Sequence, residues 1–408
     1  MPLFFLARFV TSLLSLLILG AAGYLLWSWY AGEVAMVDLT HVIRYREPWR
    51  LGVGLALLAW SFFGGHVLKL PLAKRDVRPT RAVRGEGEVI QGQSGSQLYI
   101  ERHGPTGASP IIFTHGWGMD STFWNYAKAD LGERFQLILW DLPGLGRSKL
   151  PPSGKAALEV FAIDLEGLVT GLGDRKPVLV GHSIGGMTIQ TLVRDRPEIM
   201  QRLAGVVLLD TTYTNPLRTM ILNRLALALR PVLELAMRLT IWLEPLVWAI
   251  NWQSYLSGSA HLAHRLGFGR HVTRSQLDHA TLLSTRNRPA VEAKGNLAMF
   301  RWDATGAFGR LSTPALVIAG DMDIVTKLEA NRAIAAESRM AELRIIEGAN
   351  HLGPLESAET YNRWIAEFVL AAHAAGEDRP AAEGQDGTAL PSGSGRFDSG
   401  SMGDARPL

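Results

Sequence analysis

The chain has 408 residues, no cysteine and a formal net charge of +3, with a pI near 9.1. The absence of cysteine excludes disulfide bonds and agrees with a reducing compartment. The positive charge comes largely from a linker near the N-terminus and an inserted central segment, so it does not require a nucleic-acid partner, and we predict none.

Two apolar segments near the N-terminus favour membrane insertion. Residues 9–30 contain no charged side chain and are long enough, as a helix, to cross roughly 30 Å of hydrocarbon. Residues 51–68 are shorter and include His66, but Leu, Ala, Gly, Trp and Phe dominate them. The alternatives are a cleaved signal peptide for the first segment and a buried core helix for the second. We predict two transmembrane helices, which make residues 1–70 a membrane anchor.

Basic residues predict the orientation of this anchor. The second span is followed by a basic, glycine-rich linker at residues 71–95, whereas the three arginines between the spans are offset by three acidic residues. The positive-inside rule therefore places the rest of the chain in the cytoplasm, at the inner membrane if the source is bacterial. We also expect the linker arginines between Arg75 and Arg84 to lie against anionic lipid headgroups.

Beyond residue 96, short apolar runs alternate with helical patterns. The runs at 110–114 and 137–140 read as buried strands, and they lead into His115-Gly116 and into the loop Asp-Leu-Pro-Gly-Leu-Gly-Arg-Ser at 141–148. Helices are predicted at residues 121–131, 158–172, 327–336 and 356–372. This alternation predicts an α/β fold with a mostly parallel sheet and helices on both faces.

The most informative motif is Gly-His-Ser-Ile-Gly at residues 181–185. An apolar run precedes it and a helical pattern follows it, so Ser183 is predicted to lie on a tight strand-to-helix turn. Gly181 and Gly185 suit such a turn, because side chains beside the serine would collide with the strand or the helix. A serine presented in this way is a candidate nucleophile that needs a base.

Residues 214–299 interrupt the alternation and are predicted to form an inserted helical lid. The stretch 217–252 is rich in Leu, Ile, Met and Trp, with Pro231 and Pro245 as breaks between helices. Glu234, Glu244 and four arginines argue against a third span. The apolar side of the lid is expected to pack over the core, to lie in the membrane interface, or both. Three of its tryptophans would reach headgroup depth or line an acyl pocket: Trp242, Trp248 and Trp252.

Acidic residues and a histidine follow two later strand patterns. Asp321 and Asp323 follow the run at 314–319, and His351 follows the run at 343–346. Serine, then acid, then histidine is the order of a triad carried by successive strands of one sheet. Asp323 is the preferred acid, and Asp321 and Asp210 remain alternatives.

Together these motifs resemble the α/β-hydrolase family over roughly residues 96–372, with an unlike insertion in the middle. The resemblance implies that Ser183 is the nucleophile, His351 the general base and Asp323 the carboxylate that orients it. It also implies an oxyanion hole made by the backbone amides of Trp117 and Ile184. Five further residues would shape the site: His115, Gly116, Gly181, His182 and Gly185. Asn350 departs from the family pattern, in which many members carry glycine before the histidine.

No metal or cofactor is predicted. Five other histidines are interpreted as surface or lid residues, because no metal-binding motif accompanies them: His103, His261, His264, His271 and His279. Gly144 and Gly146 lack the lysine and hydroxyl residue of a phosphate-binding loop.

The resulting prediction is a catalytic core at 96–213 and 300–372, followed by a disordered tail at 373–408. The predicted function is a membrane-anchored, esterase- or lipase-like serine hydrolase acting on carboxylic esters with apolar acyl groups, with membrane lipid as a further partner. The alternatives are an acyltransferase or a cofactor-free haloperoxidase-like enzyme on the same triad, and a non-catalytic membrane scaffold. The sequence does not indicate the oligomeric state.

Overall fold

The computed structural model describes residues 2–36 and 42–377, and the predicted tail from 378 to 408 lies outside this part of the chain. The N-terminal region is a hairpin of two long helices joined by a short antiparallel ribbon. Its elements are α1 (Pro2–Ala31), β1 (Glu33–Met36), β2 (Val42–Tyr45) and α2 (Pro48–Leu72). The segments Phe5–Ala31 and Pro48–Leu72 are long and apolar enough to cross a bilayer.

An eight-stranded sheet forms the centre of the remaining chain. Its strands are β3 (Gly87–Gln91), β4 (Gln97–His103), β5 (Pro110–Thr114), β6 (Gln136–Trp140), β7 (Val178–His182), β8 (Gly205–Leu209), β9 (Ala315–Gly320) and β10 (Ala341–Ile346). The spatial order is β10-β9-β8-β7-β5-β6-β4-β3. The six strands from β5 to β10 run parallel, whereas β3 and β4 add an antiparallel edge. The predicted mostly parallel sheet is confirmed.

Helices cover both faces of the sheet. They are α3 (Asn125–Leu131), α4 (Leu158–Thr170), α5 (Ile184–Asp195), α13 (Leu328–Ala336), α14 (Gly353–Glu356) and α15 (Ala358–Glu377). Helices α6 to α12 form the lid. Two apolar cores result, one beneath α4 and α5 and the other beneath α3 and α15. Residues 373–377, predicted as part of the tail, continue α15, because this helix buries residues as far along as Ala372 against the core.

The lid consists of short helices between β8 and β9. They are α6 (Pro216–Thr219), α7 (Asn223–Ala228), α8 (Arg230–Trp242), α9 (Glu244–Ser257), α10 (Ser259–Arg265), α11 (Arg274–Arg286) and α12 (Pro289–Met299). Prolines lie at the first turns of α8 and α9, where a missing amide donor is tolerated. Many large apolar side chains of α7, α8 and α9 are exposed, among them Leu225, Val232, Leu235, Trp242 and Leu246.

The helical hairpin packs against the lid. Glycines allow a close approach, since a Cβ on Gly64 would lie 2.4 Å from the carbonyl oxygen of Ser257. Lys69 Nζ donates to Asp278 Oδ1 at 2.8 Å, and Ser15 Oγ lies 2.8 Å from Ser257 Oγ. The far end of the hairpin is exposed, including Tyr24, Trp27 and Tyr30. One end of the hairpin is therefore part of the folded domain, whereas the other leaves it.

The arginines of the linker were expected to face lipid, and for Arg84 this prediction is wrong. Its side chain is 14% exposed and forms ion pairs with Asp120 and Asp141 inside the domain. Arg78 likewise pairs with Asp130 at 2.7 Å. Asp120 and Asp141 are buried, and pairing with Arg84 removes the cost of leaving these carboxylates uncompensated.

Candidate active site

Ser183 occupies the turn between β7 and α5. Its φ of +56° and ψ of −115° are unusual for a residue with a side chain. The neighbouring glycines are required sterically, because a Cβ on Gly185 would lie 2.2 Å from Thr114 O and one on Gly181 would lie 2.5 Å from the Gly185 carbonyl carbon. The strand, turn and helix expected around the motif are therefore present.

A hydrogen-bonded chain joins side chains from the ends of three strands. His351 Nε2 lies 3.0 Å from Ser183 Oγ, and His351 Nδ1 lies 2.9 Å from Asp323 Oδ2. Asp323 follows β9 and His351 follows β10, and all three side chains are buried. Since the carboxyl ends of parallel strands meet at one edge of a sheet, residues far apart in the chain come together here.

Several donors fix the carboxylate of Asp323. The amides of Val325 and Thr326 donate to Oδ1 at 2.7 and 2.8 Å, and Thr326 Oγ1 donates to Oδ2 at 2.7 Å. Burial opposes ionisation, but His351 and these hydrogen bonds hold the pKa of Asp323 below its ordinary value. An ionised Asp323 accepts a hydrogen bond from His351 Nδ1–H, which leaves Nε2 able to accept a proton from Ser183.

The two alternative acids have other partners. Asp210 Oδ2 accepts from the Tyr361 hydroxyl at 2.6 Å, and Asp210 Oδ1 accepts from the Gly320 amide at 2.8 Å. Burial and the neighbouring Asp323 raise the pKa of Asp210 well above its ordinary value. Asp321 is exposed and accepts from the amide of Gly348. The geometry thus brings Asp323 to the histidine ring and directs Asp210 and Asp321 elsewhere.

The loop after β5 approaches the serine closely. A Cβ on Gly116 would lie 3.6 Å from Ser183 Cβ and 2.6 Å from His182 Nδ1, so glycine is needed there. Trp117 follows, and its side chain lines the same cavity as Ser183. Ile184 carries the first amide of α5, which has no acceptor within the helix. The two predicted oxyanion-hole residues, Trp117 and Ile184, therefore both lie next to Ser183.

His115 and His182 are buried beside the site and hold loops in place. His115 Nδ1 lies 2.8 Å from Gly116 O, and His115 Nε2 accepts from the Leu142 amide at 3.0 Å. His182 Nε2 lies 2.8 Å from His351 O, and its ring stacks on Phe123. Burial, and then the neighbouring His351, lower the pKa of His182 to about 3. A neutral ring in contact with backbone fits the predicted site-shaping role.

A cavity of about 370 Å³ opens above Ser183. Its floor includes Gly116, His182 and His351, and the lid supplies apolar side chains of α8 and α9. One wall comes from α1, which contributes Phe5, Arg8, Phe9, Ser12, Leu13 and Leu16. This wall is not part of the site predicted from the sequence. The helical spacing of these residues marks one face of α1, but nothing in the sequence shows which surface that face covers.

Comparison with known proteins identifies the family. The model of a family described as the alpha/beta hydrolase family matches residues 111–364, more than half of the chain. The chain belongs to the alpha/beta hydrolase family.

Individual relatives of this alpha/beta hydrolase differ in how much of them is matched. An uncharacterized protein of Mycobacterium tuberculosis is 30% identical over 161 residues, which are 38% of this chain and 46% of that protein. The chain thus spans less than half the length of this relative. A pimeloyl-[acyl-carrier protein] methyl ester esterase of Sodalis glossinidius is 34% identical over 25% of this chain and 37% of its own length.

A solved structure matches over a longer range. A thermophilic esterase of Thermogutta terrifontis, with malate bound, is 26% identical and superposes with a TM-score of 0.52 over 71% of this chain and all of its own. The esterase-like neighbours support a hydrolase.

A second feature missed from the sequence is the ion cluster around Arg84. Arg84 Nη2 contacts Asp120 Oδ2 at 2.6 Å, and Arg84 Nη1 contacts Asp141 Oδ2 at 2.8 Å. Asp141 Oδ1 also accepts from the Ser121 amide at 2.7 Å. In the hydrolase, this cluster ties the linker to the loop that carries Gly116 and Trp117 and to the loop after β6.

The five histidines predicted to be surface or lid residues are divided between exposed and buried positions. His103 and His271 are exposed, while His261, His264 and His279 are buried in α10 and α11. His264 lines the cavity, and burial, followed by the charge of Arg8, lowers its pKa to about 3. Within residues 2–36 and 42–377, no group of three His, Asp or Glu side chains is placed to hold a metal ion.

Proposed function

We propose that this protein is a membrane-anchored serine hydrolase that cleaves carboxylic esters with apolar acyl groups. The observation that carries the proposal is the hydrogen-bonded chain of Ser183, His351 and Asp323, which opens into a mainly apolar cavity. A nucleophile, a base and an orienting carboxylate at these distances are the elements of acyl transfer to serine.

In the first half-reaction, Ser183 Oγ attacks the ester carbonyl carbon while His351 Nε2 takes the hydroxyl proton. The carbonyl oxygen becomes an oxyanion, which the amides of Trp117 and Ile184 stabilise by donating hydrogen bonds. Asp323 stabilises the imidazolium through His351 Nδ1–H. When the tetrahedral intermediate collapses, its bond to the alcohol oxygen breaks and His351 returns the proton to that oxygen. An acyl ester of Ser183 remains.

In the second half-reaction, water replaces the alcohol. His351 Nε2 takes a proton from the water as its oxygen attacks the acyl carbon, and the bond to Ser183 Oγ then breaks. The proton passes to Ser183, which regenerates the free enzyme and releases a carboxylic acid. Acyl transfer to an alcohol uses the same steps with another acceptor in place of water.

The cavity lining supports an apolar acyl group. Phe9, Leu13 and Leu16 of α1 face Leu239 and Leu243 of α8 and the following turn across the cavity, and further apolar side chains come from α9. Phe9, Leu13 and Leu239 are also about half exposed, so they lie at the rim where the cavity meets the outside. Burying each methylene of an acyl chain between such walls contributes about 0.8 kcal/mol.

The position of this rim supports a membrane location. The exposed part of the hairpin, the cavity rim and the exposed apolar side chains of α7 to α9 occur on elements that pack together. An apolar surface of this extent on a soluble domain is costly in water. We propose that the hairpin crosses the bilayer, that the lid contacts the lipid, and that the catalytic domain faces the cytoplasm.

The names of similar proteins support ester cleavage as the reaction. The Thermogutta structure is that of an esterase, and the Sodalis relative is named a pimeloyl-[acyl-carrier protein] methyl ester esterase.

Labelling with a fluorophosphonate probe tests the nucleophile. The full-length protein in detergent is expected to react, and Ser183→Ala is expected to stay unlabelled. Ser153→Ala, which changes a serine on an exposed turn, is the matched control and should label like the wild type. A folded wild-type protein that takes up no probe would contradict the enzyme proposal and favour the scaffold.

Reporter fusions test the proposed orientation. Fusions after residue 377 and within the segment between α1 and α2 should report opposite sides of the membrane, with the C-terminal fusion in the cytoplasm. A C-terminal fusion active outside the cytoplasm would contradict this orientation. Extraction of the full-length protein by alkaline carbonate, without detergent, would contradict membrane insertion.

A further inference from the structure

A cluster of polar side chains lies in the mainly apolar cavity and has no part in the mechanism above. Arg8 of α1 reaches across the cavity to Ser284 of α11, where Nη1 donates to the backbone oxygen at 3.0 Å and to Oγ. Glu292 of α12 lies beside it, with Oε2 3.9 Å from Arg8 Nη1. Asn296, one turn later on α12, lines the same cavity.

The cluster is close to the reacting groups. The indole Nε1 of Trp117 donates to the Glu292 backbone oxygen at 3.3 Å, and a Cβ on Gly118 would lie 3.2 Å from Glu292 Oε1. Trp117 and Gly118 belong to the loop that approaches Ser183. The cluster therefore borders this loop and lines the same cavity as Ser183.

The cluster has unused hydrogen-bonding capacity. Arg8 Nη2, Glu292 Oε1 and Asn296 Oδ1 are each buried without a hydrogen-bond partner among the described residues. Buried polar atoms are nearly always paired in folded proteins, and leaving one unpaired costs about 1–3 kcal/mol. Three such atoms from two facing elements of one cavity are typical of a ligand site, where a few polar groups fix the orientation of an apolar ligand.

We infer that Arg8, Glu292 and Asn296 form a subsite for an uncharged hydroxyl group on the alcohol part of the ester substrate. This inference rests on the proposed function, because it assigns the alcohol of the ester that Ser183 cleaves. The substrate class is then an acyl ester of a polyol, such as a monoacylglycerol, rather than a simple alkyl ester.

The chemistry of the three side chains favours a neutral hydroxyl group over an ion. The guanidinium can only donate, the carboxylate accepts, and the amide can do either. A hydroxyl group accepts one hydrogen bond and donates another, so it can satisfy both sides of the cluster. A phosphate group placed here would meet the carboxyl group of Glu292 as well as Arg8, and an ammonium group would meet Arg8 as well as Glu292.

The experiment compares three esters of one acid with full-length protein in detergent micelles. The substrates are monolauroylglycerol, methyl laurate and lauroylglycerol phosphate. The wild type is expected to show a kcat/KM for monolauroylglycerol at least about tenfold above that for either other ester, since two hydrogen bonds of ordinary strength contribute this much discrimination. A preference for the phosphate ester, or none between the first two esters, would overturn the inference.

The informative variant is the double substitution Arg8→Met with Glu292→Met, which removes both charges together and avoids an unpaired buried ion. The ratio of kcat/KM for monolauroylglycerol to that for methyl laurate should fall close to one, because only the hydroxyl-bearing ester loses hydrogen bonds. The matched control is Glu33→Met with Arg50→Met, which removes the ion pair at the opposite end of the hairpin. It should keep the wild-type ratio.

Other outcomes separate the inference from the proposed function. Equal losses for both esters in the double variant would mean a purely structural role and would contradict the subsite. If the double variant does not fold, Asn296→Leu should lower the same ratio, and an unchanged ratio would count against the subsite. A wild type that reacts with fluorophosphonate but shows no preference supports the enzyme and rejects the subsite. A wild type that neither reacts nor cleaves any ester rejects both.

Discussion

The two sides of the cavity are built in different ways. The side that carries Ser183, His351 and Asp323 consists of loops at the carboxyl edge of the sheet, and each side chain has defined hydrogen-bond partners. The opposite side consists of α1 and the lid helices, and it offers mainly apolar surface, on which Arg8 Nη2, Glu292 Oε1 and Asn296 Oδ1 have no hydrogen-bond partner among the described residues. The first side is suited to catalysing one reaction, whereas the second is suited to selecting the substrate.

The two sides of the cavity should therefore differ in their sensitivity to substitution. The sheet side is formed by short motifs whose glycines and strand ends fix the backbone. A single substitution there should therefore lower activity strongly. The helical side is assembled from segments more than 200 residues apart in the sequence, and many of its contacts are apolar and adaptable. Changes there should alter selectivity more than turnover. Four predictions test this contrast.

The largest effect is expected at the acid. Asp323→Asn should lower kcat by about 10³–10⁴, because an amide does not hold the histidine in the productive tautomer. Asp210→Asn should keep kcat within about tenfold of the wild-type value, since the Asp210 carboxyl group binds Tyr361 and Gly320 rather than His351. Steady-state kinetics on a short p-nitrophenyl ester measures both. Similar losses in the two variants would leave the choice of acid open again.

A smaller and substrate-dependent effect is expected on α1. Leu13→Trp should fill part of the cavity and lower kcat/KM for p-nitrophenyl laurate by about tenfold, while p-nitrophenyl acetate changes less than about twofold. Leu17→Trp changes an exposed residue of the same helix and serves as the control. A loss that is the same for both esters would show that α1 supports the fold rather than the acyl chain.

Low pH should destabilise the folded protein, because each side of the cavity contains a buried histidine. The pKa of His264 on the lid side and that of His182 on the sheet side are each lowered to about 3 by burial. Between about pH 6.5 and 3 the unfolded chain binds these protons and the folded protein does not, so the free energy of unfolding falls as pH falls, by up to about 1.4 kcal/mol per pH unit for each histidine.

Melting temperatures measured from pH 7 to pH 4 test this expectation. His264→Gln should show a shallower decline than the wild type, whereas His271→Gln, at an exposed position, should follow the wild type. A wild-type melting temperature that does not fall towards pH 4 would contradict the lowered pKa values.

The smallest effect is expected where the hairpin joins the lid. Asp278 accepts from Lys69 of α2, Tyr255 and His261. Lys69→Met removes one of these three donors from a partly exposed carboxylate, so we expect a loss of about 1 kcal/mol or less and unchanged cleavage of p-nitrophenyl acetate. Thermal unfolding in detergent measures it. A large loss of activity would mean that the hairpin acts on the sheet side as well.

The sequence was informative where function depends on local backbone geometry. Gly181, Ser183 and Gly185 predict a strained turn because only small neighbours fit there, and the order of Ser183, Asp323 and His351 follows from strand order. The fold class and the family followed from the same motifs.

The sequence was not informative where function depends on which surfaces meet. The face of α1 that carries Arg8 and Leu13 has helical spacing, but an apolar face packs equally well on lipid, on α2 or on the lid. Arg84 looked like one of a row of linker cations, and its pairing with Asp120 and Asp141 depends on loops that only the folded sheet positions. Strand β3 lay within the predicted linker because its residues are mostly exposed and show little apolar alternation.

The segment that connects the hairpin to the sheet is bound to the folded domain. Lys74 pairs with the backbone beside Thr273, Asp76 and Thr80 bind Ser275, and Arg84 reaches Asp141, so the segment after α2 is fastened along its length. The catalytic domain cannot swing on this segment as on a tether. If α1 and α2 cross a bilayer, the cavity rim keeps a fixed height and angle relative to that bilayer. Substrates would then reach it by lateral diffusion in two dimensions, and their encounter rate would depend on surface density rather than on bulk concentration.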